Sequence, residues 1–444
     1  MAGSGRVAKI GILGHVGTLN LGDETIIASV IRSIRSRYPS AEITGFTINP
    51  EDTHQRHGIA AFPIRRIPKR DSAGSLETET NTSSQVARLL KKIKYGLKGV
   101  PTLYRVLKGA QNSLKAVWNS MQELAFLVRS YRNLKGTDIL IIAGSQQLND
   151  YFGGPWGFPY TLLKWGLVAK MAGTKVAFLS GGAGPLNTRL GRFFVKRALA
   201  LTSYHSYRDD SSRKFIEKLG VPGENVVCPD LVFGFQVPTT AEVPRPRSGP
   251  IVGINPVPYF DGRYWPEHNP DIYEKYVQKL ASFSSWLIET GHSVFFFPTQ
   301  LRADPPVIED IRLAMRSCGP SGCETLVLDR PVHSFDDLIA GISMTDFVIA
   351  SRYHGVILSE ILNRPVVGIA YHKKTIDLMA ELGQVEYALD IQSFELEELK
   401  ERFLSLRSEA EAVKKLTRER VRQHFQAVEN QYDRVSRLLP KMPA

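Results

Sequence analysis

The chain has 444 residues, of which 43% are hydrophobic, 23% charged and 9% aromatic; this balance excludes a disordered, collagen-like or disulfide-stapled protein and leaves material for two cores. Three cysteines, Cys228, Cys318 and Cys323, are few and odd in number, so a secreted disulfide framework is excluded and a reducing cytoplasm is expected. The net charge is +12, but residues 86–135 alone hold eleven Lys or Arg against one acid, Glu123, which argues against a protein built all over to hold nucleic acid.

Residues 9–14 form a short apolar run ending in glycine, and Ile26, Ile27, Val30, Ile31 and Ile34 set a helix over 23–38. A strand at 42–46 is followed by a polar Ser/Thr/Glu stretch, 71–84, which reads as a mobile loop. In the basic segment Val86, Leu89, Leu90, Ile93 and Leu97 share one helical face. After Pro101 a second stripe runs through Val106, Ala110, Leu114, Val117, Met121 and Leu124. A continuous apolar run at 138–143 has the pattern of a strand buried on both faces. Helices around 161–171 and 190–201 then alternate with strands at 175–179 and 204–207.

Residues 238–250, with Pro238, Pro244, Pro246 and Pro250, have the composition of an interdomain linker. Beyond them strands are expected at 251–255, 293–297, 325–328, 346–350 and 366–371. The helices between them are expected at 272–290, 306–317, 334–341 and 355–362. Strands alternating with helix-length segments give parallel sheets with right-handed crossovers. The expected architecture is α/β: an N-terminal domain over 1–240 with a basic helical insert at about 86–135, a linker at 241–250, and a C-terminal domain over 251–444 closed by a terminal helix. A cleft separates the two. No segment reaches the ~18 uninterrupted apolar residues of a spanning helix, and the first ten residues lack a signal-like apolar run, so neither export nor membrane insertion is expected.

In an open parallel sheet, ligands sit beyond the carboxyl ends of the strands. Gly11, Gly14 and Gly17, then Asn20-x-Gly22-Asp23, lie between the first strand and the first helix, where backbone amides can meet an anion or sugar; a tight turn capped by Asp23 is the plainer reading. Gly144-Ser145 and Gly184-Pro185 follow two later strands. Arg208-Asp209-x-x-Ser212 offers a bidentate cation, or an arginine paired with Asp209 or Asp210. Arg352-Tyr353-His354-Gly355 joins a fixed cation to a titratable imidazole at a helix start, suited to an anionic substrate and proton transfer. Lys374 is a second cation beyond the next strand. No zinc-spaced ligand set and no Gly-x-Ser-x-Gly elbow occurs. The basic amphipathic segment reads as a surface that docks on a membrane or partner, the alternative being domain helices whose stripe packs on the sheet.

Together these strand exits, with Asp230 in Cys228-Pro229-Asp230 and Tyr371-x-x-Lys374, resemble the polysaccharide pyruvyl transferases from about residue 9 to about 391. The resemblance implies two Rossmann-like domains in a glycosyltransferase B-like arrangement. It also implies transfer of a pyruvyl group, as a ketal, from phosphoenolpyruvate to a sugar of a cell-surface polysaccharide or exopolysaccharide, or of its lipid-linked precursor. Arg208, Arg352 and His354 would then act on the donor. Lys374, Asn20, Gly22, Asp23, Gly144, Ser145, Gly184 and Asp209 would line the substrate site. No cofactor or metal and no nucleic acid is implied. The chain departs from the family's usual glycine triplet, reading Ala143-Gly144-Ser145-Gln146, and carries the long insert. Two alternatives remain. A nucleotide-sugar glycosyltransferase of the same shape often carries two glutamates eight positions apart, whereas Glu360 is followed at that distance by Gly368. A non-catalytic membrane- or saccharide-binding subunit would use the basic segment alone.

Overall fold

The computed structural model describes residues 6–66, 101–151, 153–235, 249–318 and 326–440. The polar stretch at 71–84, the stripe at 86–97 and most of the proline-rich linker lie outside the described residues. The first half runs β1 (Lys9–Leu13), α1 (Leu21–Arg37), β2 (Glu42–Thr47), α2 (Pro50–His57), β3 (Ala60–Pro63), α3 (Pro101–Leu134), β4 (Ile139–Ala143), α4 (Phe158–Ala172), β5 (Lys175–Gly181), α5 (Arg189–Leu199), β6 (Tyr204–Tyr207), α6 (Asp210–Lys218) and β7 (Val226–Val227). The second runs β8 (Ile251–Asn255), α7 (Pro270–Glu289), β9 (Ser293–Phe296), α8 (Asp304–Cys318), α9 (Phe335–Ser343), β10 (Phe347–Ala350), α10 (Tyr353–Ile361), β11 (Val366–Ala370), α11 (Lys373–Glu381), β12 (Ala388–Asp390), α12 (Leu396–Ser408) and α13 (Ala410–Ser436).

The strands make two sheets, ordered β3-β2-β1-β4-β5-β6-β7 and β12-β11-β10-β8-β9, and the paired strands of both run parallel. The β4 sequence Ile-Leu-Ile-Ile-Ala is buried along its whole length, as a strand covered by helices on both faces must be. Strand order reverses direction between β1 and β4 and again between β8 and β10. These are the two places where an open sheet leaves a crevice for a ligand.

The core crosses the halves. One apolar cluster includes Ile12 and Ile27 of the first half with Val252, Val356 and Phe403 of the second. The last helix returns to the first half: Arg37 pairs with Glu429 at 2.8 Å, and buried Gln431 donates to Ser180 Oγ at 3.2 Å.

Local differences from the sequence expectations have local causes. The first helix starts at Leu21 because Asn20 caps it, its side chain accepting from Gly22 N. Of the expected strand at 325–328, the described residues contribute only an isolated bridge, Val327 to Val294; Pro331, three residues beyond Leu328, bars its extension. Helix α2 and strands β3 and β12 are short elements that the hydrophobic pattern does not announce. Helix α3 turns Phe126, Ser130 and Leu134 inward, whereas Val117, Met121 and Leu124 are exposed, so the described part of that stripe does not pack on the sheet.

Candidate active site

A bridge between the two halves frames the cleft. Asn20 pairs antiparallel with Gln300; Leu21 N donates to Thr299 O at 2.7 Å, and Leu301 N donates to Leu19 O at 2.9 Å. Leu19 takes a left-handed φ of 59°, uncommon for a leucine and held by these cross-half bonds. Asn20 also donates to Asp23 at 2.8 Å, and His15 Nδ1 lies 3.3 Å from the same carboxylate. Burial opposes the Asp23 charge, but His15, His354 and Lys374 together hold its carboxyl below the usual range.

Arg352 and His354 enter from the exit of β10. Ser351 N donates to Asn255 O at 2.8 Å, and its hydroxyl shares a 2.9 Å bond with Tyr276, which fixes the turn. Arg352 stands at the N-cap of α10 and makes no side-chain cap there. Asn20, Asp209 and His372, by contrast, cap α1, α6 and α11. Arg352 Nε donates to Asp304 Oδ1 at 3.1 Å, and Nη2 reaches the same oxygen. Asp304, fully buried, holds its other oxygen toward Thr299 N and Gln300 N at 2.9 and 2.8 Å. One carboxylate therefore orients the arginine and the interhalf loop together.

His354 lies against α1. A Cβ at Gly22 would fall 2.3 Å from its Nδ1, so only glycine admits the ring here. His354 Nε2 is buried and has no hydrogen-bond partner among the described residues. Burial pushes its imidazole below the ordinary value; Asp230 and Asp23 pull it upward, Lys374 and Arg208 push it further down. It is therefore mostly neutral near pH 7 and holds a free ring nitrogen.

Arg208, at the exit of β6, is buried and loosely paired, with Nε 3.4 Å from Asp209 and Nη1 3.9 Å from Asp230. Asp209 itself caps α6 through Ser212 N at 2.6 Å. Of the two acids expected beside Arg208, Asp210 instead binds Arg213 and Lys214. Lys374 approaches from the second half. Gln146 Oε1 lies 3.5 Å from both Arg208 Nη2 and Lys374 Nζ, and the Tyr353 ring has both cations 5.1 Å from its centroid. Among the described residues no carboxylate stands within ion-pair distance of Lys374. Burial lowers its ammonium, with Arg208 and Arg352 acting the same way against Tyr371 and Asp23.

Tyr371 lies near enough to Arg352 and Lys374 for their charges to act on it. Burial raises its phenol, but Lys374 and Arg352 outweigh that and hold it below the ordinary tyrosine range. The structure thus brings Arg208, Arg352, His354, Lys374, Asn20, Gly22, Asp23 and Asp209 to one cleft. Gly144 serves the backbone: a Cβ there would meet Leu179 O at 2.0 Å. Ser145 accepts from Gly182 N through its carbonyl, and Gly184 N donates to Leu148 O. The side chain from that exit that reaches the cations is Gln146, which in sequence marks only the departure from the glycine triplet; Tyr371 stands there as a motif position without a role, and Asp304 carries no sequence signal. Among the described residues no group of three metal-type ligands is assembled.

Glu360 does not face this cleft. It is buried and accepts from Gln384 Nε2 at 2.8 Å, so the position where a nucleotide-sugar enzyme would carry its first gripping glutamate is spent on packing.

Comparison with known proteins places the chain. It shares its fold with the UDP-GlcNAc 2-epimerase from Methanocaldococcus jannaschii (TM-score 0.51, 10% identity, covering 90% of this chain and 92% of that one). A glycosyltransferase from Rickettsia africae (0.51, 10%, 97% and 98%) and spinosyn rhamnosyltransferase (0.51, 10%, 96% and 100%) are similar to the same extent. At such identities these likenesses show the fold alone, the glycosyltransferase B arrangement. No curated protein matches the chain. The family model for polysaccharide pyruvyl transferases, however, matches residues 20–373, and the chain belongs to that family.

Proposed function

We propose that the chain transfers the three-carbon unit of phosphoenolpyruvate to two hydroxyls of a saccharide, giving a pyruvate ketal and inorganic phosphate. The observation that carries this reading is the convergence of Arg208, Arg352 and Lys374, drawn from both halves, beside neutral His354. The donor brings a carboxylate and a phosphate into a partly dry cleft, and such charges need cationic partners there. Lys374, with no carboxylate at ion-pair distance among the described residues, is suited to the leaving phosphate, and Arg352 and Arg208 to the remaining anionic oxygens. The uncapped amides of α10 add donors on the same side.

Two hydroxyl protons must leave the acceptor, one proton must reach the donor's methylene carbon, and one must reach the departing phosphate. The first hydroxyl oxygen bonds to the central carbon as the methylene becomes a methyl group. The carbon–phosphate oxygen bond then breaks, and the second hydroxyl closes the ketal. His354 Nε2 accepts a hydroxyl proton, and Tyr371, acidified by Lys374 and Arg352, supplies one. The compartment is the reducing cytoplasm, in keeping with the free, buried Cys228.

Incubation of the purified chain with phosphoenolpyruvate and saccharide acceptors should release phosphate and give a product whose mass increases by one pyruvate ketal. His354→Ala and Arg352→Ala should abolish phosphate release while the far-ultraviolet dichroism stays unchanged. Turnover of a nucleotide sugar instead of phosphoenolpyruvate, or normal phosphate release by His354→Ala, would overturn the reading.

A further inference from the structure

Helix α3 carries an apolar stripe that none of the described residues covers. Val117, Met121 and Leu124 are 58%, 59% and 63% exposed, Val128 is 43% and Trp118 is 60%. The spacing, four then three then four residues, puts Val117, Met121, Leu124 and Val128 on one line along the helix. A patch of this kind, containing an aromatic residue, is uncommon on a soluble surface and marks a contact.

The opposite face is committed. Phe126 and Leu134 are buried, Lys164 of α4 lies 4.6 Å from the Phe126 ring, and Arg66 donates to Asn119 O at 3.1 Å and Gln122 Oε1 at 2.8 Å. The helix is thus pinned with its apolar line outward.

Charge selects the occupant. The basic segment has one acid, Glu123, and that carboxylate turns inward to Lys164 at 3.0 Å and Tyr160 at 3.4 Å. Exposed Arg129, Arg132 and Lys135 follow the apolar line. A second copy of this helix would bring like charges together, and so would the chain's own stripe at 86–97, where Arg88, Lys91, Lys92 and Lys94 are interspersed. An anionic bilayer offers both an apolar layer for Trp118, Met121 and Leu124 and a negative surface for the cations. The placement matches that of interfacial helices: apolar residues with a tryptophan on one face, lysine and arginine beside them.

We propose that the outer face of α3 is a docking surface for an anionic lipid leaflet, holding the chain peripherally. No helix among the described residues is long and apolar enough to cross a membrane. The inference does not depend on the reaction proposed above, and its test reads binding rather than turnover.

The full-length chain should co-sediment with vesicles containing phosphatidylglycerol and much less with pure phosphatidylcholine vesicles. Raising the salt should weaken that binding. Met121→Glu/Leu124→Glu, both on an exposed face, should reduce vesicle binding at least tenfold with unchanged melting temperature, and Arg129→Glu/Arg132→Glu should weaken it by a similar factor. Binding that ignores both pairs of substitutions would overturn the proposal. So would absence of binding to the anionic vesicles, or a wild-type dimer in sedimentation equilibrium that Met121→Glu/Leu124→Glu makes monomeric.

Discussion

A methyl group at Gly22 would sit 2.3 Å from His354 Nδ1, so the first helix start and the imidazole share one space. Gly22→Ala is expected to leave the fold in place, since alanine favours a helix, but to displace the ring. Phosphate release should fall at least tenfold while the melting temperature changes by no more than a few degrees. The pH profile follows from the same cluster. In the proposed reaction His354 works neutral and its value is lowered by burial; activity should therefore be retained below the ordinary imidazole range and lost only as pH falls through the lowered value. In the same reading Lys374 works charged and is also lowered, first by burial, so donor affinity should be lost as pH rises through a value below that of an ordinary lysine. Lys374→Arg should move the alkaline limb of kcat/KM upward, because guanidinium stays charged. An alkaline limb unmoved by that substitution would assign it to another group.

At the scale of elements, the Arg352–Asp304 pair joins the start of α10 to the loop that bridges the halves. Removing one partner of a largely buried pair costs about 3 kcal/mol. Asp304→Asn should therefore lower stability by about that amount in urea unfolding and raise KM for phosphoenolpyruvate more than it lowers kcat. The elements carrying the site are the ones whose sequence is easiest to read: apolar runs such as 139–142 leave little choice but a buried parallel strand, and parallel strands put their exits on one edge. Arg208, Arg352, His354 and Lys374 were legible for that reason. Gln146 and Asp304 were not, because their meaning lies in what stands opposite them: Gln146 acquires its place only when Lys374 is brought from the other half to 3.5 Å. Asp304 looks like an ordinary first-turn acid until Arg352 folds over it. Gly144 reads as a ligand loop in sequence, and only the parallel pairing of β4 with β5 shows the carbonyl it must clear.

Over the whole molecule, α13 closes the chain by crossing from the second half to the first. Its anchor in the second half includes Gln384, which donates to Thr417 Oγ1 at 2.9 Å and to buried Glu360. Burial pushes the Glu360 carboxyl up to about 7. With the folded value above the unfolded one, the folded chain binds the extra proton between about pH 4.5 and 7, so stability falls across that interval and the loss is complete above it. Glu360→Gln should raise stability at pH 8 by up to about 3 kcal/mol and change it little near pH 4.5, measured by urea unfolding at the two pH values. With α3 docked on lipid, the chain and a membrane-borne acceptor share one surface, so a saccharide carried on an anionic vesicle should be turned over faster than the same saccharide free. Substitution of Met121 and Leu124 by Glu should remove that advantage.

The convergence of cations from both halves on one donor is tested most directly by calorimetric titration of phosphoenolpyruvate into the wild-type chain, Arg208→Ala and Lys374→Ala. A charged hydrogen bond contributes about 1.5–3 kcal/mol, so each substitution should weaken donor binding by roughly tenfold to a hundredfold. Donor affinity unchanged in both variants, or no binding to the wild-type chain, would contradict it.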